Sequence, residues 1–354
     1  MTTTSFGNST VFSFANNTNG TTKIFIKPSP VPSAITFTLG VVGNVIAILV
    51  LFKASKRHKW NVFYRFVTAL AITDLFGIIT TSPVAFAVYD NNLQWVGGKP
   101  LCHYMSFMLI FSGIATVLFV GAMALDRYLA ILHPFKYNMS ARYTIVNVVM
   151  FGILLFSAFV ACLPLVGFGE NVKQFPATWC FFNFFGNRIE DEIYAFFYSA
   201  LGLGTILMTA ILNICVIAGL ISGKRSQVRR GSMTSRNARA RTDIYIAIFL
   251  VAIFVVFTVC WAPFLVSILY IVVFIKYIMY HVARGPNFAP NLFKNIIFRS
   301  VLCSLQPSEI ILNVINLNKA LANLLLGTVA IMTQMTTDKY VPFVKFGSYS
   351  YHQI

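Results

Sequence analysis

The sequence predicts an all-α membrane protein, a bundle of seven transmembrane helices, and three observations carry that prediction. Of 354 residues, 57% are hydrophobic and only 10% are charged, with 35 phenylalanines, a balance that water-soluble domains do not show. The apolar residues fall into seven runs, each long enough for a helix of about 20 residues to cross the hydrocarbon core of a bilayer. The basic residues gather in alternate gaps between those runs, as the positive-inside rule requires.

The runs lie at residues 31–52, 62–88, 102–132, 144–167, 193–221, 244–274 and 292–315. This divides the chain into an outside tail (1–30), the helical domain (31–315) and an atypical C-terminal segment (316–354). An odd number of spans puts the two ends of the chain on opposite sides of the membrane.

A formal net charge of +17 would suit nucleic acid, but the positions of the charges argue against that partner. The basic residues sit at Lys53, Lys56, Arg57, Lys59 and Arg65, then Lys136 and Arg142, then Lys224, Arg225, Arg229, Arg230, Arg236, Arg239 and Arg241. Those gaps are therefore cytoplasmic, and the last of them could attract anionic membrane lipid or an acidic partner. The acids Asp90, Glu170, Glu190, Asp191 and Glu192 occupy the opposite set of loops. The first residues carry no signal-peptide hydrophobic core, so the first span is expected to act as an uncleaved signal with the N-terminus outside. Asn8, Asn16 and Asn19, each in an Asn-X-Ser/Thr sequon, then face the lumen and are expected to be glycosylated, whereas the sequon at Asn138 should be silent.

Within the spans, isolated polar residues stand out because ionisable groups in lipid are costly, by about 2.5 to 3.5 kcal/mol on insertion scales. Asn44 in the first span is placed to bridge neighbouring helices. Asp74 in the second is the only carboxylate deep within an apolar run; it calls for an ion, a water cluster or another helix, with a protonated structural role as the alternative. Pro83 should kink that helix. Tyr89 near its outer end is either a binding group or part of the interfacial aromatic belt.

Cys102 and Arg127 are 25 positions apart, or about 38 Å of helix, longer than the hydrocarbon core. If Cys102 lies at the outer surface, Arg127 lies at the inner one. The triplet Asp126-Arg127-Tyr128, followed by Pro134-Phe135 in a basic loop, is thus either a conformational lock or a solvated helix end. Of six cysteines, Cys162, Cys215, Cys260 and Cys303 fall inside spans. Cys102 and Cys180 fall on the oxidising side, where a disulfide between them is the economical pairing. It would pin the aromatic loop at 174–182 over the third helix as a lid; local packing under a crossover is the other possibility.

The sixth span places Trp261 beside Pro263, a proline hinge with a bulky neighbour that could hold two packings, or a static kink. In the seventh, Arg299 has no carboxylate near it in sequence. It either snorkels to the outer interface or faces an anionic ligand. The sequence has no metal-ligand cluster and no nucleophile beside a base, and calls for no cofactor.

The order and spacing of Asp126-Arg127-Tyr128, Leu70 to Leu75 (LAITDL), the two outside cysteines and Cys260 to Pro263 (CWAP) resemble the rhodopsin-like G-protein-coupled receptors. Within them, residues 40–50 (GVVGNVIAILV), Ser82-Pro83-Val84 through Tyr89, Gln94-Trp95, 97–102 (GGKPLC), Leu163-Pro164 to Gly169 and 174–181 (QFPATWCF) resemble the prostanoid receptors, above all the branch that answers prostaglandin E by raising cyclic AMP.

The resemblance implies a pocket for a carboxylate lipid, its head held by Tyr89, Thr178 and Arg299, with Trp179 in the lid. It implies an activation switch of Asp74, Asp126, Arg127, Tyr128, Trp261 and Pro263. A heterotrimeric G protein of the stimulatory kind would contact Arg127, Pro134 and Phe135. The chain departs from the family after Arg299: Ser308, Glu309 and Leu312 stand where the family has the Asp, Pro and Tyr of a D-P-x-x-Y motif. Trp261 departs as well, because prostanoid receptors of vertebrates usually carry another residue there. These departures keep open a non-signalling membrane protein that binds lipid or pairs with a full-length receptor.

Overall fold

A computed structural model of the chain describes residues 3–6, 9–14, 23–26, 29–57, 62–133, 139–174, 177–186, 188–230 and 235–275. Six long helices follow one another: α1 (Val31–Arg57), α2 (Val62–Asp90), α3 (Gly98–Leu132), α4 (Met139–Cys162), α5 (Ile189–Arg230) and α6 (Ser235–Tyr270). Residues 292–315, the seventh predicted span, lie outside the described residues, as do Arg299, Pro134, Phe135, Asn8, Asn16, Asn19 and Asn138.

The first six predicted spans each overlap one of these helices; α1, α2 and α5 run beyond the predicted ends, whereas α4 stops at Cys162 and α6 at Tyr270, short of theirs. Five helical segments are long and apolar enough to cross a bilayer: Val31–Lys53, Val62–Asp90, Gly98–Leu132, Thr144–Val166 and Ile189–Ser222. Helices α1 and α5 outlast their stretches because Lys, Arg, Gln and Ser extend a helix into water without loss of its own hydrogen bonds. Thus α5 continues to Arg230, and Arg65, counted above with a basic loop, lies inside α2 and donates from Nη1 to Asn147 Oδ1 of α4 at 2.9 Å. Pro83 and Pro263 both lie within helices rather than ending them, and α6 runs on into a π-helical turn at Ile271–Ile275.

The central element is α3, which packs against α2, α4 and α5. Two apolar clusters fill the bundle. The outer one joins Met105 and Ile110 to Phe181, Phe182, Tyr194, Tyr198 and Trp261; the inner one joins Phe63, Phe66 and Leu70 to Phe119, Met123, Leu250 and Ile253. At the periphery α4 turns Val148, Phe151, Leu155 and Phe159 outward, Phe151 at 64% exposure. A row of bare apolar side chains of that size fits a lipid boundary and not a water boundary.

One polar expectation is corrected. Asn44 is fully buried, yet it does not bridge helices among the described residues: its Nδ2 donates to Gly40 O at 2.9 Å, within its own helix. The short amide reaches the carbonyl one turn back more readily than a neighbour.

Outside the bundle, β1 (Thr3–Phe6), β2 (Ser9–Phe14) and β3 (Lys23–Ile26) form an antiparallel sheet in that order, Thr3 opposite Phe12 and Val11 opposite Ile26. A second sheet, β4 (Asn171–Gln174) with β5 (Trp179–Phe182), lies between α4 and α5 in sequence.

Candidate functional site

The loop between α4 and α5 is the predicted lid, and it is a hairpin. Trp179-Cys180-Phe181-Phe182 favours a strand because aromatic side chains fit a pleated surface. Its partner strand places Lys173 opposite Cys180 and Gln174 opposite Trp179. Gln174 Nε2 reinforces the pair by donating to Phe182 O at 3.2 Å. All four residues of β5 are buried, which alternating exposure on a free hairpin would not permit.

Two kinds of bond fasten this hairpin to α3. Cys180 and Cys102 form the predicted disulfide, with their Cα atoms 5.2 Å apart. Four residues further along α3, Ser106 Oγ donates to Asn171 Oδ1 at 2.6 Å, while Asn171 Nδ2 lies 3.1 Å from His103 Nδ1. Across the bundle, Phe181 meets Phe264 of α6 at 6.0 Å and Phe182 meets Tyr194 and Tyr198 of α5 at 5.0 and 4.9 Å between ring centroids. The loop therefore reaches α3, α5 and α6.

Thr178 and Trp179 are buried at the turn of the hairpin. The preceding Ala177 has φ +81°, the left-handed region that a Cβ makes costly. Tyr89 is half-buried at the outer end of α2, its hydroxyl 3.5 Å from Ser33 Oγ of α1. Among the described residues Tyr89 and Thr178 do not bond one another.

Between α1, α2 and α3 runs a narrow cleft. Thr36, Thr81, Ser82 and Ser112 supply its hydroxyls, Phe37, Ile78 and Leu109 its apolar wall, and Asp74 its deepest polar group on α2. Asp74 is 3% exposed and accepts a hydrogen bond from Thr116 Oγ1 of α3 at 2.7 Å. Ser112 O, 2.8 Å from the same Oγ1, is the other acceptor within reach of its single proton, so the hydroxyl is shared between the carboxylate of α2 and the backbone of α3. The partner that Asp74 called for is, in part, another helix.

At the inner end, Asp126 and Arg127 are both buried, Arg127 at 4% exposure. Arg127 Nε donates to Asp126 Oδ2 at 3.0 Å, with a second bond from Nη2 to the same oxygen. The guanidinium also lies 5.5 Å from the ring centroid of Phe63 on α2, within cation–π range. A solvated helix end would leave these groups in water, so that reading does not hold. Tyr128 makes an edge contact with His133 at 5.6 Å.

Trp261 is buried and reaches α3 at Gly113, where a Cβ would lie 2.8 Å from its Cη2. Sequence reasoning missed Gly113, Thr116, Ser106 and Asn171. Small and hydroxyl residues are frequent at helix contacts in membranes, and only the partner across the gap makes one of them specific.

Residues 43–304 match the family described as 7 transmembrane receptor (rhodopsin family). The chain is 34% identical to the prostaglandin E2 receptor EP4 subtype of Homo sapiens over 220 residues, 62% of this chain and 45% of that receptor. It is 34% identical to the prostaglandin E2 receptor EP2 subtype of Rattus norvegicus over 267 residues, 67% of this chain and 72% of that receptor. Against the prostaglandin F2-alpha receptor of Rattus norvegicus the identity is 30% over 244 residues, 66% of this chain and 64% of that receptor. The chain thus spans a little under half the length of the EP4 receptor it matches. The crystal structure of squid rhodopsin superposes with a TM-score of 0.68 at 15% identity, covering 91% of this chain and 87% of the other, which is a likeness of fold. With its helices in that arrangement, a lid pinned to α3 by a disulfide and a buried Asp-Arg pair at the inner end, the chain belongs to the rhodopsin family of seven-transmembrane receptors.

Proposed function

We propose that the chain is a receptor for prostaglandin E or a similar carboxylate lipid, and that it acts at the plasma membrane with its N-terminus outside. It signals through a stimulatory G protein to raise cyclic AMP. The observation that carries this reading is the lid: a hairpin fastened to α3, with Thr178 and Trp179 buried at its turn, in a chain whose curated relatives are prostaglandin receptors. A lipid that enters from the membrane needs a site closed to water above it, and such a lid supplies that closure.

In this reading Tyr89, Thr178 and Arg299 hold the ligand carboxylate. A guanidinium fork gives charge-assisted, bidentate bonds to a carboxylate, and the two hydroxyls complete its solvation. The apolar chain lies deeper, against aromatic residues of the outer cluster. Ligand binding shifts the receptor only if the open state is bound more tightly. That state moves α6 about Pro263, repacks Trp261 and frees Arg127 from its contacts with Asp126 and Phe63, with Asp74 and Tyr128 as further members of the switch. Pro134 and Phe135 then enter the G protein as apolar anchors. Prostaglandin E2 added to cells expressing the chain should raise cyclic AMP, and Arg299→Ala at equal surface expression should abolish the rise. Failure of the intact protein to bind the ligand would sink the reading.

A second reading is favoured by Ser308, Glu309 and Leu312, which replace the D-P-x-x-Y residues: a lipid-binding variant that does not couple. Normal ligand affinity without nucleotide exchange on a purified G protein would decide for it.

A further inference from the structure

Two tyrosines one turn apart on α5 are both buried under the lid, and their hydroxyls fare differently. Tyr194 donates to Val160 O of α4 at 3.0 Å, which makes it a structural tie. Tyr198 is 1% exposed and its Oη has no hydrogen-bond partner among the described residues. The Tyr198 ring is held by Phe181 at 5.8 Å and Phe182 at 4.9 Å between centroids. The hydroxyl projects from that aromatic clamp to Gly113 of α3, where a Cβ would lie 3.3 Å from it. Buried hydroxyls are normally satisfied, and phenylalanine would pack the same ring without the desolvation penalty. A tyrosine retained here points to a bond that forms when something else is present.

We propose that Tyr198 Oη is the second polar anchor of the binding pocket. It hydrogen-bonds a hydroxyl or keto oxygen carried on the ring or chain of the lipid, far from its carboxylate. The proposal rests on the carboxylate-lipid reading above and specifies which lipids the site prefers. Gly113 stands eleven residues inward of Cys102 on α3, about 16 Å along the helix, whereas Thr178 is two residues from Cys180 of the same disulfide. Thr178 and Tyr198 thus sit at two depths along α3, in one cluster with the Phe181, Phe182 and Phe264 rings. A fatty acid without oxygens along its chain fills the apolar stretch but leaves Tyr198 unsatisfied. An oxygenated one satisfies it, and a buried group built to bond an oxygen discriminates against the analogue that lacks one.

The test uses the full chain in detergent micelles, with prostaglandin E2 and arachidonic acid, its non-oxygenated parent, as probes on wild type, Tyr198→Phe and Tyr194→Phe. Tyr198→Phe should weaken prostaglandin E2 binding about three- to tenfold, the worth of one neutral hydrogen bond. It should leave arachidonic acid affinity unchanged and should not lower the melting temperature of the ligand-free receptor. Tyr194→Phe should lower that temperature. The proposal is overturned by equal prostaglandin E2 affinity in wild type and Tyr198→Phe, by equal weakening of both lipids, or by a lower ligand-free melting temperature in Tyr198→Phe. Wild type that binds no prostaglandin E2 removes the receptor reading itself and this proposal with it, a result visible before any variant is made.

Discussion

A methyl group at Gly113 would lie 2.8 Å from Trp261 Cη2, inside van der Waals contact. The neighbour is a large ring already packed on Phe264 at 6.2 Å, so it cannot yield as a flexible chain would. Gly113→Ala should therefore destabilise the receptor by about 1–3 kcal/mol, against roughly 1 kcal/mol gained in helix propensity. It should also alter tryptophan fluorescence, and an unchanged spectrum and melting temperature would mean that α3 and α6 separate at no cost. Thr116→Val tests the link to Asp74. Valine keeps the shape and removes the donor that reaches the carboxylate at 2.7 Å, so a loss of about 1–3 kcal/mol is expected in thermal unfolding. Asp74 and Arg127 were legible as residues because charge in an apolar run is conspicuous. Thr116 and Gly113 were not, because a hydroxyl or a glycine in a membrane helix satisfies itself locally or contributes nothing until a partner is known.

At the level of the element, the lid separates what cysteine spacing can tell from what it cannot. Two cysteines on the oxidising side implied the cross-link, and a run of aromatic residues implied cover. The hairpin register, and the Ser106–Asn171 bond that fastens β4 independently of the disulfide, depend on which residue of α3 faces the loop. Replacing both Cys102 and Cys180 by alanine removes a cross-link that spans 78 residues and should cost about 2–4 kcal/mol. Adding Ser106→Ala should cost a further 0.5–1.5 kcal/mol or so. Melting curves of the variants measure both, and a second loss of zero would mean that β4 is held by the disulfide alone. Helix ends were the least accurate part of the sequence reading. Hydropathy marks where lipid stops, while α5 stops only at Arg230, well into its basic extension.

For the whole molecule, the charge pattern and the sequons make one joint prediction. If the basic gaps are cytoplasmic, Asn8, Asn16 and Asn19 are modified in cells and Asn138 is not. Glycosidase treatment should shift the electrophoretic mobility of wild type and leave the Asn8/Asn16/Asn19→Gln triple variant unmoved. A shift that persists in the triple variant and disappears with Asn138→Gln would invert the topology. The membrane-spanning architecture itself was legible because it is nearly a one-dimensional property. A helix satisfies its own backbone, so a long apolar run suffices to place it in a bilayer.

The sequence by itself determined the membrane-spanning helical class, the places of the first six helices, the disulfide and the family. It could not determine which face of each helix looks inward. In water, a helix betrays its core face by an apolar stripe opposite a polar one; in lipid both faces are apolar, and Phe151 on the boundary looks like Phe119 in the core. Only the tertiary structure decided that Gly113 meets Trp261, that Thr116 meets Asp74, and that of two buried tyrosines one is tied to Val160 while the hydroxyl of the other has no partner among the described residues.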